Sequence, residues 1–180
     1  EKPLVMEQVA TAKNPPVLED WEAVGFEKYL QRKRLFLSAK KTEAEEREIS
    51  FAKQEEAEKI LAMMEEAFEP YTSALPAMDT LKADISEHRV IAVREGEKLL
   101  GFLRFGREKK VSVLWQIVVL PEGRGKGIGT ALVKDWISLE REEAAKFQLW
   151  VREDNPPALK LYQALGFLPD GRIAPVMLKK

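Results

Sequence analysis

The 180-residue sequence predicts an α/β fold: a mixed sheet, antiparallel in its earlier strands and parallel in a central pair, flanked by helices. Three observations carry this. Apolar and β-branched runs of strand length, separated by turn residues, recur between Arg89 and Leu120. Two stretches, 54–68 and 128–144, place apolar residues at helical spacing. The run Val111 to Leu120 passes through a loop with four glycines into the second of those helices and on to a further strand, Phe147 to Val151. A strand that returns after a long helix runs parallel to the one before it.

Size and composition narrow the options. A chain of this length builds one domain with a sizeable core, or one domain plus an appendage. Its 45% hydrophobic and 33% charged residues are an ordinary globular balance, and a net charge of -1 gives no reason to expect nucleic acid or an anionic membrane as partner. The absence of cysteine removes disulfides, thiolate metal sites and a Cys nucleophile, and fits a cytoplasmic location. With His88 the only histidine, no metal site is expected. No apolar run reaches the ~18 residues of a membrane span. Glu1-Lys2-Pro3 is unlike a signal peptide, and the missing initiator Met is what a processed or truncated piece would be expected to show.

Taken in order, the chain opens on a partial repeat. Asn14 to Phe26 reads N-P-P-V-L-E-D-W-E-A-V-G-F, and Asn155 to Phe167 reads N-P-P-A-L-K-L-Y-Q-A-L-G-F. Seven of thirteen positions are identical at a constant offset of 141 residues. Apolar segments precede both copies, Leu4 to Val9 and Phe147 to Val151, and strand-like endings follow, Arg34 to Leu37 and Val176 to Lys179. Pro at a helix start is common enough to explain N-P-P, but not the Ala and Gly-Phe in register. Residues 1–40 are therefore read as a strand–helix–strand half-repeat that lacks the glycine loop and carries Trp21 where the second copy has Tyr162. A piece this small cannot bury its own core, so it docks on the rest of the chain, on a second copy as a homodimer, or on an upstream half. Left open, Leu35-Phe36-Leu37 would be an adhesive strand edge.

Residues 41–47 are charged, have no apolar face and read as a linker before a domain spanning 48–180. Glu48 to Lys53 is expected to be a short strand. Gln54 to Phe68 is a helix with Ala57, Leu61, Met64 and Phe68 on one face. Glu69 to Asp79, with Pro70 and Pro76, is a loop, and Thr80 to His88 a second helix. Arg89 to Arg94 and Leu99 to Phe105 form a hairpin about Glu95-Gly96-Glu97. After Val111 to Leu120 comes a helix, Ile128 to about Ala144, with Ile128, Leu132, Trp136 and Leu139 inward. Phe147 to Val151 is a strand, and Pro156 to Leu165 a helix stopped by Gly166. The tail supplies one or two strands.

The glycine loop is the chemical signal. A strand that runs through glycines into a helix brings bare amides to a helix N-terminus, where orphan N–H groups and the helix dipole favour phosphate. Neither a P-loop nor a G-x-G-x-x-G register fits, since Ile128 and Thr130 stand where a P-loop needs its second glycine. The spacing that fits is R-x-x-G-x-G, at Arg124, Gly127 and Gly129. It resembles the acetyl-CoA loop of the GCN5-related N-acetyltransferases, the GNAT family. A purely structural turn has little reason for four glycines when each costs roughly 1 kcal/mol in a helix's first turn.

The resemblance covers residues ~46–180 and implies a GNAT-type mixed sheet; residues ~1–40 then resemble the C-terminal half of such a domain. It implies acetyl-CoA as co-substrate, no metal, and a small-molecule or peptide primary amine as acceptor. Cofactor contacts fall on Ile117, Val118 and Val119, on Arg124, Gly125, Lys126, Gly127, Ile128, Gly129 and Thr130, and on Asn155. Tyr162, seven residues beyond Asn155, is implied as the acid that protonates the departing thiolate, and a phenol with pKa near 10 is protonated for that role. Read structurally, Asn155 is also a good N-cap and Tyr162 a core tyrosine. The helix–loop–helix segment implies Glu65, Glu66, Glu69 and Tyr71 as substrate contacts. The family's basic glutamate has no counterpart: Trp115, Gln116 and Trp150 hold the corresponding places, Glu153 and Asp154 lie beyond the strand, and His88 is expected at the surface. Proton removal is left to water or to Glu65 or Glu66. The rival reading is a non-catalytic acetyl-CoA-binding or docking module.

Overall fold

The computed structural model describes residues 3–42, 46, 48–71 and 73–180. Most of the expected 41–47 linker, and residues 1 and 2, lie outside the described residues. Seven strands form one mixed sheet in the order β1-β7-β2-β6-β5-β4-β3. The chain divides into two compact units, Leu37–Gln148 and Glu1–Phe36 with Leu149–Lys180.

In the first of these units, β3 (Val90–Glu95), β4 (Lys98–Glu108) and β5 (Val111–Val119) make an antiparallel meander, with Val90 opposite Arg104 and Gly101 opposite Val119. The register slips once between β4 and β5: Arg104 faces Gln116 and Phe105 faces Leu114, so Trp115 is the extra residue of a bulge. A bulge reverses the faces of the residues beyond it. Gln116 and Val118 accordingly turn to one side of the sheet, and Ser112 and Leu114 to the other.

On the Val118 side pack α2 (Ala57–Ala67) and α3 (Met78–Ser86). Ala57, Ile60, Met64, Leu81 and Ile85 close over Phe102 and Val118. The buried stripe of α2 runs through Ala57, Ile60, Met63 and Met64, while the expected Leu61 and Phe68 lie at its margin. On the opposite side is α4 (Ile128–Glu140), whose Leu132, Val133 and Trp136 are fully buried. The Trp136 indole donates to Ser112 Oγ at 2.9 Å, and its ring meets Phe147 edge-on at 5.0 Å. Leu139, expected inward, is 36% exposed because the buried stripe of α4 runs through Leu132, Val133, Trp136, Ile137 and Glu140 and leaves Leu139 at its margin. The expected strand Glu48–Lys53 is not one. Only Phe51 bridges to Ile91, flanked by bonds from Ala52 N to Val90 O and from Ala92 N to Ser50 O. β6 (Lys146–Arg152) starts beside the start of β5, since Ala145 N and Lys146 N both donate to Lys110 O. The pair is parallel, as the α4 crossover requires.

The other unit holds β1 (Leu4–Glu7), α1 (Leu18–Ala23), β2 (Glu27–Ser38), α5 (Pro156–Ala164) and β7 (Leu168–Lys179). β7 lies between β1 and β2, antiparallel to both: Leu4 faces Lys179, and Glu27 faces Leu178. Glu153 N, past the end of β6, donates to Gln31 O of β2. The 141-residue offset recurs here in hydrogen bonds. Val24 N, Gly25 N and Phe26 N donate to Trp21, Glu22 and Trp21 carbonyls; Leu165 N, Gly166 N and Phe167 N donate to Tyr162, Gln163 and Tyr162 carbonyls. Gly25 and Gly166 share φ values of 88° and 85°, left-handed caps that a side chain would strain. β2 and β7 carry the same offset at both ends. Each copy thus sends its last strand to pair with the first strand of the other.

Candidate functional site

The glycine loop begins where Pro121 ends β5. A single turn, Pro121–Gly123, follows, with Gly123 N donating to Leu120 O and Arg124 N to Pro121 O. The glycines then divide by role. Gly123 is buried, and a Cβ there would stand 3.0 Å from Ile128 Cδ1 and 3.2 Å from Val119 Cγ1, so its smallness serves packing. Gly125 and Gly127 have φ of 75° and 76°, and a Cβ on either would meet nothing within 4 Å. A left-handed residue is one of the two conformations that alternate in an anion-binding nest, and it recurs here at both glycines. Gly127 is the N-cap of the 13-residue α4, and the first amide bonded back to the loop is Ala131 N, to Gly127 O at 2.9 Å. Among the described residues, no amide from Gly125 to Thr130 donates to a protein acceptor. Six consecutive N–H groups without a protein acceptor, at the positive end of a helix, favour an anion.

The side chains around the loop are mostly charged. Arg124, Lys126 and Gly127 are exposed, while Ile128 is buried and anchors the helix start. Lys126 Nζ lies 3.1 Å from Glu95 Oε1, at the β3–β4 turn, and Lys98 Nζ lies 2.7 Å from Glu122 Oε1. The hydrogen bond from Lys98 holds the Glu122 carboxyl below its ordinary pKa. Of the strand residues, Val118 is committed to the core, and Ile117 and Val119 are half-buried opposite Leu103 and Gly101. What these three offer a ligand is backbone.

Next to them, Gln116 is buried, with both ends of its amide used. Arg104 donates to its Oε1 at 2.9 Å, and its Nε2 donates to Ala74 O at 3.4 Å. Arg104 also donates through Nε and Nη2 to Asp84 Oδ2, at 2.7 and 2.5 Å, and its guanidinium stacks 4.4 Å from the centre of the Trp115 ring. Asp84 takes a further bond from Arg89, so this buried carboxylate is committed to two arginines. Glu65 and Glu66 are exposed at the end of α2. Glu69 is turned into its own loop, accepting from Tyr71 N at 2.9 Å and Ser73 Oγ at 3.3 Å, and Tyr71 is 46% exposed. His88 is exposed, as expected, and meets Phe51 edge-on.

In the other unit Asn155 and Tyr162 share α5. Asn155 is exposed and its Oδ1 accepts from Ala158 N at 3.2 Å, the capping role its position suggests. Tyr162 is 4% exposed, its ring edge-on to Phe167 at 5.8 Å, and burial pushes its phenol well above the ordinary value of 10.0. Glu153 accepts from Gln31 and Asp154 from Arg152. Among the described residues no group of acidic or histidine side chains is arranged to hold a metal, and no helix is long and apolar enough to cross a membrane.

Sequence reading missed the acidic hairpin tip beside the loop and the buried Asp84–Arg104–Gln116 set. Glu95 lies 31 residues from Lys126, and no local pattern connects them. The buried arginine sat unremarked in an apolar strand run, where an isolated charge is itself a signal of a buried partner.

Known proteins offer an independent comparison. The chain is similar to the UPF0157 protein YqkA of Bacillus subtilis, 34% identical over 95 residues, covering 52% of this chain and 27% of that protein. It is 32% identical over 90 residues to a mycothiol acetyltransferase of Corynebacterium kroppenstedtii, covering 49% of this chain and 23% of the relative. It therefore spans about a quarter of the length of these relatives. The crystal structure of a GCN5-related N-acetyltransferase from Sphaerobacter thermophilus superposes with a TM-score of 0.75 at 15% identity, over 99% of this chain and 60% of that one. A model of the Acetyltransferase (GNAT) family matches residues 57–167, and with the strand order and the free-amide loop already in place, the chain belongs to the GNAT acetyltransferase family.

Proposed function

We propose that this chain is an acetyl-CoA-dependent N-acetyltransferase that transfers an acetyl group to the primary amine of a small molecule or peptide. The observation that carries the reading is the run of amides from Gly125 to Thr130 that have no protein acceptor among the described residues, with the loop open around Gly125 and Gly127. In this reading Arg124 and those amides bind the diphosphate, and the backbone of Ile117 to Val119 pairs with the amide-bearing arm of the cofactor as an added strand would. When bound, acetyl-CoA supplies the activated acyl group. Asn155 contacts the cofactor, and Tyr162 donates its proton to the leaving sulfur. Burial keeps the phenol protonated at neutral pH, so it is available to hydrogen-bond to the leaving sulfur as charge accumulates there, while the same burial makes full proton transfer harder. Glu65, Glu66, Glu69 and Tyr71 shape the acceptor side, and water carries the amine proton away. The absence of cysteine fits a reducing cytoplasm.

One observation favours a second reading. The places corresponding to the family's basic glutamate hold Trp115, Gln116 and Trp150, and the amide of Gln116 is engaged at both ends. A chain that binds acetyl-CoA without turning it over would have this feature. Calorimetric titration with acetyl-CoA, together with thiol release over a panel of amines, separates the two. Binding with turnover on any amine, and loss of turnover but not of binding in Tyr162→Phe, supports the enzyme; binding with no turnover supports the module. Gly127→Glu places a carboxylate in the nest and should weaken acetyl-CoA binding at least a hundredfold. Unchanged affinity in that variant would remove the loop assignment.

A further inference from the structure

Trp115 is fixed from behind and open in front. As the extra residue of the β4–β5 bulge it stands 39% exposed, the most open position of β5. Against its ring lie the Arg104 guanidinium, 4.4 Å from the ring centre, and Gly106. A Cβ on Gly106 would stand 2.1 Å from Trp115 Cη2 and Cζ2, so the six-membered ring rests on bare backbone that only glycine provides. Arg104 is itself held, with Nε and Nη2 donating to Asp84 and Nη1 to Gln116. A smaller residue in the bulge would leave less apolar surface in water. A large ring immobilised by a buried arginine and a glycine loses little further freedom when another group stacks on it, which is the property of a binding platform.

We infer that Trp115 is the stacking platform for the acceptor, and that the acceptor is a primary amine carrying an aromatic ring. The inference names the substrate class of the N-acetyltransferase reading above and rests on that reading. Position supports it. The next residue, Gln116, donates to Ala74 O, so the loop before α3, which that reading sets on the acceptor side, meets β5 beside Trp115. Ile117, where the same reading starts the backbone edge that takes the cofactor, lies two residues on, about 6–7 Å along the strand. A ring stacked on Trp115 therefore brings its nitrogen to the acyl group when two or three carbons separate them. The electrostatics set the kind of ring partner. A cation behind an aromatic ring draws π density toward itself. Asp84 neutralises Arg104 as a pair, but the guanidinium is the group in contact with the ring. The outer face is left poorer in electrons, so it suits another aromatic ring better than an ammonium laid flat on it.

The test loads the protein with coenzyme A, which has no acyl group to transfer, and titrates 2-phenylethylamine and 2-cyclohexylethylamine into it by calorimetry. The two amines match in length and charge and differ in aromaticity. Wild type should bind the phenyl compound roughly fivefold more tightly, the scale of an aromatic pair. Trp115→Leu should erase that preference by weakening the phenyl compound, with coenzyme A affinity kept as the sign of an intact fold, and Trp115→Phe should retain a smaller preference. Equal wild-type affinities, no binding of either amine to the loaded protein, or a preference that survives in Trp115→Leu overturns the inference and leaves the cofactor reading standing. If Trp115→Leu does not fold, a preference in Trp115→Phe as large as that of the wild type overturns it instead. Failure of coenzyme A to bind the wild type overturns the cofactor reading, and the inference with it.

Discussion

At the scale of single residues, the two positions that matter most are constrained in opposite ways. Gly127 is open and left-handed, so any side chain is tolerated sterically and resisted conformationally. Gly127→Ala should cost about 1–2 kcal/mol, the penalty for an L-residue in that region, visible as a lower melting temperature with the secondary structure kept. Tyr162 is closed in, and burial raises its phenol pKa. The sign for stability follows. Below the ordinary value of 10.0 the phenol is neutral in both folded and unfolded chains, and burial carries no ionisation penalty. Above it the unfolded chain ionises first, and native stability falls with rising pH. Urea midpoints between pH 9 and 11 should therefore decline more steeply for the wild type than for Tyr162→Phe. Parallel declines would mean that the phenol is not shielded from solvent.

Among the elements, α2 shows how a helix is tied at its entry. Glu56 precedes it; the Lys53 amide donates to its Oε2 at 2.8 Å, and Arg94 of β3 donates to it through Nε at 2.7 Å. Burial pushes the Glu56 carboxyl up, but the hydrogen bond and charge of Arg94 and the Lys53 amide outweigh it, and the net pKa is lowered. A lowered carboxylate contributes stability above its unfolded value of 4.5 and loses it as pH falls through the folded value. Glu56→Gln should destabilise by about 1–2 kcal/mol at pH 7, and the deficit should vanish in strong acid, where the wild-type carboxylate is protonated as well. A deficit independent of pH would assign the effect to packing. Elements built on local periodicity were legible in the sequence: the β3–β4 hairpin, α4 and α5 lie close to where spacing put them. Glu48 to Lys53 read as a strand from composition alone, yet it makes one bridge, because pairing depends on a partner that sequence spacing does not reveal. The loop's amides could be read because Gly, Arg and spacing are local signals. The bulge at Trp115 and the Asp84–Arg104 pair could not, since one depends on which residues of neighbouring strands face each other and the other on where α3 packs against β4.

For the whole molecule, the question is what the first forty residues are for. The offset in sequence reads them as a repeat of the end of the chain; it does not tell that β2 lies beside β6 and that β7 pairs with β1. In that arrangement β7 has no neighbour from its own copy, and both its edges are covered by β1 and β2. Val176 and Met177 of β7 are fully buried, and Leu30 and Leu35 of β2 are 6% and 5% exposed, so the half-repeat contributes core as well as hydrogen bonds. Removing residues 1–38 would leave twelve residues of β7 with two open edges. The truncated chain should be insoluble or form oligomers by pairing β7 with another copy, seen as a shift in mass by light scattering. A milder probe, Leu35→Asp, puts a charge into the same contact and should cost at least about 3 kcal/mol while leaving the edges covered. If the truncated chain were a monodisperse monomer with the wild-type melting temperature, β1 and β2 would be ornaments on a self-sufficient domain. An unstable Leu35→Asp with an intact monomeric mass, beside an oligomeric truncation, would instead separate their two contributions: burial, which sets how stable the unit is, and edge coverage, which keeps it single.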